Sequence, residues 1–457
     1  MKKLLLLFLA LPVLTFSQTT AIPDANFEQA LIDLGLDNVI DGGVLTASIS
    51  GVTDLYVDGQ NISDLTGIDD FTALTVLFCN NNQLTSLDVA QNTALEFLQC
   101  ADNQLTSLDV SQNTALEFLH CFYNQLTSIN VSQNTALIGL DCSDNPLTSL
   151  NVSQNTVLTG LWCGNNQLSS LDVTQNTALS DLSCEYNQLT SFTVTQNTAL
   201  TSLNCEYNQL TSLDVAQNIA LKLLDCSNNP LTSLDVSQNT ALEVLNCDDN
   251  QLTSLDVSQN TALTLFRCSI NQLTSLDVTQ NTALYDLYCD DNSLTGLDVS
   301  QNTVLIQLYC NSNQLTCLNV ANGNNINTSG FSVYGNPSLT CIEVDDVAYS
   351  NTNWINIDAM ASFSTSCPSS CTAGINENNL SNISIYPNPA QNNFRINSTF
   401  EGEFNLFIYS IDGKRLMLNK SLKNSNVIDV SELSTGIYIV EVENDGEKYK
   451  KRLVINK

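Results

Sequence analysis

Apolar positions recur along the middle of this chain with one fixed period. Around Cys100 the inward set is Leu95, Leu98, Cys100 and Leu105, with Phe97, Gln99 and Ala101 interleaved. The same order returns at Cys79, Cys100, Cys121, Cys142 and so on to Cys310, every 21 residues without a slip. Alternation of this kind predicts a strand. The cysteine and the residue two before it face inward. The residues three before, one before and one after it face outward. The second half of the unit carries Leu108, Asp109 and Val110, again in, out, in, and predicts a second short strand on the opposite wall. A helix and its turns do not fit comfortably into so short a period. Twelve such strands are expected to stack in parallel about 4.8 Å apart. The Asn three residues after each cysteine, Asn82 to Asn313, should form a ladder that satisfies turn backbone.

The run Leu95-Glu96-Phe97-Leu98-Gln99-Cys100-Ala101-Asp102-Asn103-Gln104-Leu105 follows the pattern L-x-x-L-x-L-x-x-N-x-L, with Cys in the third Leu position. Over residues 54–345 the chain thus resembles the leucine-rich-repeat family. The fold expected is mainly β: a solenoid of 21-residue units with parallel sheets, an N-terminal helical cap and a small C-terminal β-sandwich. No unit buries its apolar wall alone, so the array needs caps. Residues 18–53 are read as the first, with Asp24 capping a helix through Phe27, Leu31 and Leu34 that ends at Gly35. Residues 346–381 are read as cap and linker, with Val333 to Val344 a distorted last coil and Trp354 closing the end.

Twelve units form an internal alignment. Asn three after the cysteine, Leu five after and Val ten after are constant, and variation gathers on the exposed side of the main strand. In the leucine-rich-repeat family this is the concave binding face. Here it carries Phe78, Phe97, Phe118, His120, Phe122, Tyr123, Trp162, Tyr186 and Tyr207, then Tyr285, Tyr288 and Tyr309, with acids between them such as Asp141, Glu185, Glu206, Asp248 and Asp290. A contiguous exposed aromatic group points to an interaction site for a protein or a glycan; drift of relaxed positions is the alternative. The column Asp88, Asp109, Asp172 and onward invites a calcium reading, but Asn130, Asn151 and Thr193 share it. These residue types share an acceptor, not a charge, so a structural use is expected. A row of Thr (Thr85, Thr106, Thr127) would suit an ordered lattice such as ice; side-chain bonding along the turn accounts for it equally.

Charge and cysteine sharpen this picture. The chain has 457 residues and a net charge of −33. From Gln18 to Ser381 there are 38 acidic residues against two basic ones, Lys222 and Arg267; from Asn382 onward there are 9 against 10. The break marks a domain boundary, and the acidic body argues against nucleic acid and anionic membranes as partners. Stacked cysteines at one position of parallel strands have parallel Cβ directions about 4.8 Å apart, whereas a disulfide needs converging ones about 3.8 Å apart. The twelve periodic cysteines are therefore expected as buried thiols. Cys317, Cys341, Cys367 and Cys371 break the period. Three pairings are open to them, with Cys341–Cys367 preferred. No C-x-x-C pair or His set points to a metal, no cofactor motif occurs, and the one histidine, His120, has no partners placed by motif for catalysis.

The two ends address export. Lys2 and Lys3 precede an apolar run, Leu4 to Phe16, too short to span a bilayer, so residues 1–17 read as a signal peptide cut before Gln18. No later segment is apolar enough to cross a membrane. Residues 382–457 alternate as short strands (Phe394 to Ile396, Phe404 to Ile411, Ile437 to Val442) split by turns such as Asp412-Gly413 and Asp445-Gly446. They carry Tyr386-Pro387-Asn388-Pro389, Ile411-Asp412-Gly413-Lys414, Leu433-Ser434-Thr435-Gly436-Ile437-Tyr438 and a basic end, Lys450-Lys451-Arg452-Leu453-Val454. This segment resembles the type A sorting domain of type IX secretion substrates. That resemblance implies passage across the outer membrane with the type IX machinery as partner, followed by removal of the domain.

Overall fold

The computed structural model describes residues 18–368, 371, 383–387, 390–398, 403–410, 414–423, 427–444 and 447–456. Residues 1–17, read above as a signal peptide, most of the expected linker, Asn388-Pro389, 411–413, 445–446 and Lys457 lie outside the described residues. The chain divides into two units, Met1–Cys371 and Thr372–Lys457.

The first unit is a parallel solenoid. Fourteen three-residue strands, from Asp54–Tyr56 to Gly330–Ser332, form one sheet in which each repeat pairs in register with the next. The middle residue of each strand and the following cysteine are buried, as Leu98 and Cys100 illustrate, while the flanking residues are half-exposed. The expected alternation is therefore observed. All twelve periodic cysteines are buried thiols, and burial pushes the Cys100 thiol up to about 12.

Asparagine closes each main turn. Asn187 Nδ2 donates to the carbonyls of Cys163 (3.0 Å), Cys184 (3.1 Å) and Glu185 (3.1 Å), and its Oδ1 accepts from Leu168 N at 2.9 Å. One side chain thus binds its own turn and the rung before it.

The second wall differs from the expectation. Strands form there only at the end of the array: Gly296–Asp298, Cys317–Asn319, Cys341–Glu343 and Ser362–Ser364. The earlier described units have one isolated bridge there, between Asp88 and Asp109, and a side-chain system holds their turns, as it does in the last units. Asp109 Oδ1 accepts from Ser111 N at 2.9 Å, which turns the chain directly after Val110. The Val110 carbonyl is then taken by Asn113 N and by Asn134 Nδ2, and in the strand-forming end the Val299 carbonyl is likewise taken by Asn302 N. These second-wall asparagines, Asn92 to Asn302, are fully buried. They form a second Asn ladder that the sequence analysis passed over, although the constant Gln-Asn pair (Gln112-Asn113, Gln133-Asn134) marks it. The same geometry explains the Asp88 column. Asn130, Asn151 and Thr193 accept from the residue two ahead as Asp does, so the column is structural.

The N-terminal helix spans Ala25–Asp33, with Asp24 accepting from Asn26 N and Phe27 N, and Gly35 following at φ 75°. Phe27 and Leu31 are buried; Leu34, expected to join them, is exposed. A strand Thr19–Ala21 pairs antiparallel with Gly43–Leu45 and was not anticipated. At the other end Trp354 stacks on Phe331 at 4.0 Å, following a second capped helix, Val347–Asn353. Cys341 and Cys367 are joined in a disulfide.

The second unit, described by itself, contains two antiparallel sheets. One has the strands Ile383–Tyr386, Asn393–Ser398 and Val427–Asp429; the other has Arg415–Leu422, Phe404–Ser410, Gly436–Asn444 and Glu447–Ile455. Its core includes Phe394, Ile396, Phe404, Leu406, Ile408 and Val440.

Candidate functional site

The period places the variable residues in columns, and neighbouring rungs decide which of them meet. Phe97 and Phe118, three before their cysteines, stack with centroids 4.3 Å apart. The next two rungs carry Gly139 and Gly160 in that column, and both are buried. A Cβ at Gly160 would lie 2.4 Å from the Trp162 indole; one at Gly139 would lie 2.8 Å from the Phe118 ring and 3.8 Å from Trp162. The two glycines thus let Phe118 and Trp162 converge over bare backbone. Phe97, Phe118 and Trp162 form one aromatic floor on the exposed face of the sheet.

His120 lies between Gln99 and Asp141 in its column, with Nδ1 3.2 Å from Gln99 Nε2. Burial lowers its pKa despite the nearby Asp141 carboxylate. Phe78 meets Tyr56 edge-on at 5.1 Å. Tyr56 extends the aromatic column by one rung, and its first-coil position outside the cysteine period hid it from the sequence analysis.

Tyr288 and Tyr309 stack at 4.9 Å, 4° from parallel. Arg267, the one arginine of the body, lies 4.7 Å from the Tyr288 ring centre, a cation–π contact that column patterns alone do not reveal. Tyr285 is exposed in the unit of Tyr288.

Three expected face residues are placed elsewhere. Tyr123, Tyr186 and Tyr207, two after their cysteines, sit at a left-handed corner with φ of 48–50°. Phe122 packs edge-on against Tyr123 at 5.8 Å, and Tyr186 stacks on Tyr207 at 4.3 Å. This corner normally takes Asn or Asp (Asn81, Asp102, Asp144, Asn165), the residue types that tolerate that backbone. Tyrosine and, at φ 54°, Ile270 depart from this rule while exposed. Ile270→Asn is expected to stabilise the chain by about 1 kcal/mol, since a β-branched residue is strained there; a rise in the urea midpoint checks it.

Some acids on this face are held above their ordinary range. Burial raises Asp141, Glu206 and Asp290, and lifts Asp248 from 3.8 to about 6. A raised carboxyl favours the folded state while protonated. That stability is complete below pH 3.8 and is lost as pH rises through about 6. The melting temperature should therefore fall between pH 4.5 and 7, and Asp248→Asn should flatten the fall. Exposed acids with lowered pKa, such as Asp109 and Asp172, act below this window and do not oppose it.

Thr85, Thr106 and Thr127 are exposed. Among the described residues Thr316, donating to the Thr295 carbonyl at 3.1 Å, is the member of that row whose hydroxyl bonds to backbone. The expected bonding along the turn is therefore not general. Among the described residues no group of three or more His, Cys, Asp or Glu is placed to hold a metal ion, and no helix is long and apolar enough to cross a membrane.

Comparison with solved structures decides the relationship. The functional domain of InlJ from Listeria monocytogenes, described as including a cysteine ladder, is 30% identical with a TM-score of 0.65; the match covers 96% of this chain and 99% of that one. The chain belongs to the leucine-rich-repeat family. An LRR protein of Leptospira interrogans is 29% identical over 55% of this chain and 69% of its own, with a TM-score of 0.52. Internalin InlF of Listeria monocytogenes shares the fold at 20% identity, with a TM-score of 0.55 over 76% of this chain and 97% of that one. No curated protein matches by sequence. Residues 384–456 match the secretion system C-terminal sorting domain. This leucine-rich-repeat protein is therefore exported by type IX secretion to the cell surface or the extracellular space.

Proposed function

We propose that this leucine-rich-repeat protein is a non-catalytic recognition protein that binds a protein ligand on the exposed face of its 14-stranded sheet. The observation that carries this reading is the convergence of Phe118 and Trp162 over Gly139 and Gly160. Independent drift would not empty two adjacent rungs beside the largest side chain on the face. The floor offers an apolar anchor site of the kind that dominates binding energy. Farther along, Glu185, Glu206, Asp225, Asp248 and Asp290 supply negative charge with few cations nearby, which suits a ligand that carries basic groups beside its apolar anchor. A glycan is the second reading, favoured by the near-parallel Tyr288–Tyr309 pair, a surface on which a sugar ring would stack. Whether the exported protein stays attached or is released belongs to the same proposal; the sorting domain suits either.

The test is binding of the exported protein to a panel of cell-surface proteins and polysaccharides, beside a Phe118→Ala, Trp162→Ala double variant. Capture of a protein ligand, weakened at least tenfold in a variant that keeps its circular dichroism and urea midpoint, supports the reading. Polysaccharide binding lost in the variant favours the glycan. Binding indifferent to both changes overturns the site.

A further inference from the structure

Four cysteines lie outside the thiol column, and the end of the solenoid explains them. Cys317 begins the strand Cys317–Asn319, and Cys341 begins the next strand, Cys341–Glu343; Leu318 pairs with Ile342 in register. Both cysteines therefore occupy the outer side of the second wall. Earlier units have an exposed Ser there, as at Ser107, Ser128 and Ser254. Cys341 is bonded to Cys367. Four residues farther on, Cys371 is buried and its thiol hydrogen-bonds the Cys317 sulfur. The preceding rung makes room for the Cys317 sulfur. Where most units carry Ser, it has Gly296, and a Cβ there would lie 2.9 Å from Cys317 Sγ.

We propose that Cys317 and Cys371 form a second disulfide, so that the segment leaving the solenoid is stapled to two successive rungs. The bond forms by thiol–disulfide exchange with an oxidised dithiol protein or a low-molecular-weight disulfide met during export. The Cys317 thiolate attacks the oxidant's disulfide, and the Cys371 thiolate then displaces the oxidant's sulfur. Each cysteine gives up its proton, one S–S bond forms, and the oxidant leaves as two thiols. Cys317 is the better first nucleophile, because the hydrogen bond from Cys371 holds its pKa below an ordinary thiol's. The bridge closes a loop of about fifty residues, a length at which cross-linking strongly restricts the unfolded chain. It also protects the open end of the array: tension on the chain beyond residue 371 is delivered to the Cys317–Asn319 strand, bypassing the outermost strand, Ser362–Ser364.

The experiment uses the full chain, oxidatively refolded with a glutathione redox couple, denatured without reductant and alkylated. It is then reduced, labelled with a second alkylating agent and digested for mass spectrometry. Of 16 cysteines, twelve should take the first label and four the second. Omitting reduction before digestion should yield a linked Cys317–Cys371 peptide. The Cys341–Cys367 bridge is the internal control for oxidation. Fourteen first labels with that bridge present, or Cys371 linked to another partner, overturns the proposal. In Cys317→Ser, thirteen first labels with Cys371 among them support it; eleven, with Cys371 still bridged to another cysteine, counts against it.

Discussion

Asn187→Ala is expected to lower the stability of the solenoid by about 3 kcal/mol, because it strands several buried backbone groups at once. The side chain serves four of them, on two rungs: the carbonyls of Cys163, Cys184 and Glu185 and the N–H of Leu168. Alanine offers neither donor nor acceptor, and the position is 8% exposed, too enclosed for water to replace all four bonds. Asn187→Asp should be at least as damaging at neutral pH. A carboxylate still accepts from Leu168 N, but it puts an acceptor oxygen in place of Nδ2, facing three carbonyls. The measurement is urea unfolding followed by circular dichroism. Because rungs stack on nearest neighbours only, the transition should also broaden as the two flanks separate. By contrast, Asp172→Asn, in the second-wall column where only an acceptor is used, should shift the midpoint little. If the Asn187 variants unfold with the parent protein, the ladder is not what holds the turns.

Gly160→Val is expected to abolish ligand binding while leaving the solenoid folded. The new Cβ would lie within 2.4–3.1 Å of three atoms of the Trp162 ring, and Trp162 is half-exposed, so the indole has room to swing out instead of forcing the backbone. That breaks the floor without deleting an aromatic ring. A loss as large as that of the double alanine variant would show that ring placement, and not apolar area alone, makes the site. Loss of Trp162 fluorescence shielding from an aqueous quencher reports the movement. Full binding with the indole displaced would remove Trp162 from the site.

Much of this could be read from the sequence because a repeat array is its own alignment. Constancy of Asn three after the cysteine, without one Asp among the twelve units, already says that a donor is needed there. The mixture of Asp, Asn and Thr nine after the cysteine says that an acceptor suffices. The left-handed corner is written in the same way, as Asn and Asp in most units, although alternation alone makes it strand surface. Alternation therefore puts Tyr186 and Tyr207 on the strand face, whereas they stack at its rim. The second strand, expected in every unit, forms in the last described units alone, because in–out alternation fixes which residues face inward and not whether neighbouring backbones pair.

The sequence by itself determined the period, the buried and exposed columns, the thiol stack and the sorting domain. The first three depend on what lies within one unit, or one period away, and a strict repeat specifies both; the sorting domain is legible from its own ordered motifs. Tertiary structure decided how side chains meet across rungs: Phe118 and Trp162 both lean over Gly139, Arg267 meets Tyr288, and Cys371 meets Cys317. Such contacts depend on side-chain direction across rungs and on where a non-repeating tail folds back, which periodicity does not encode.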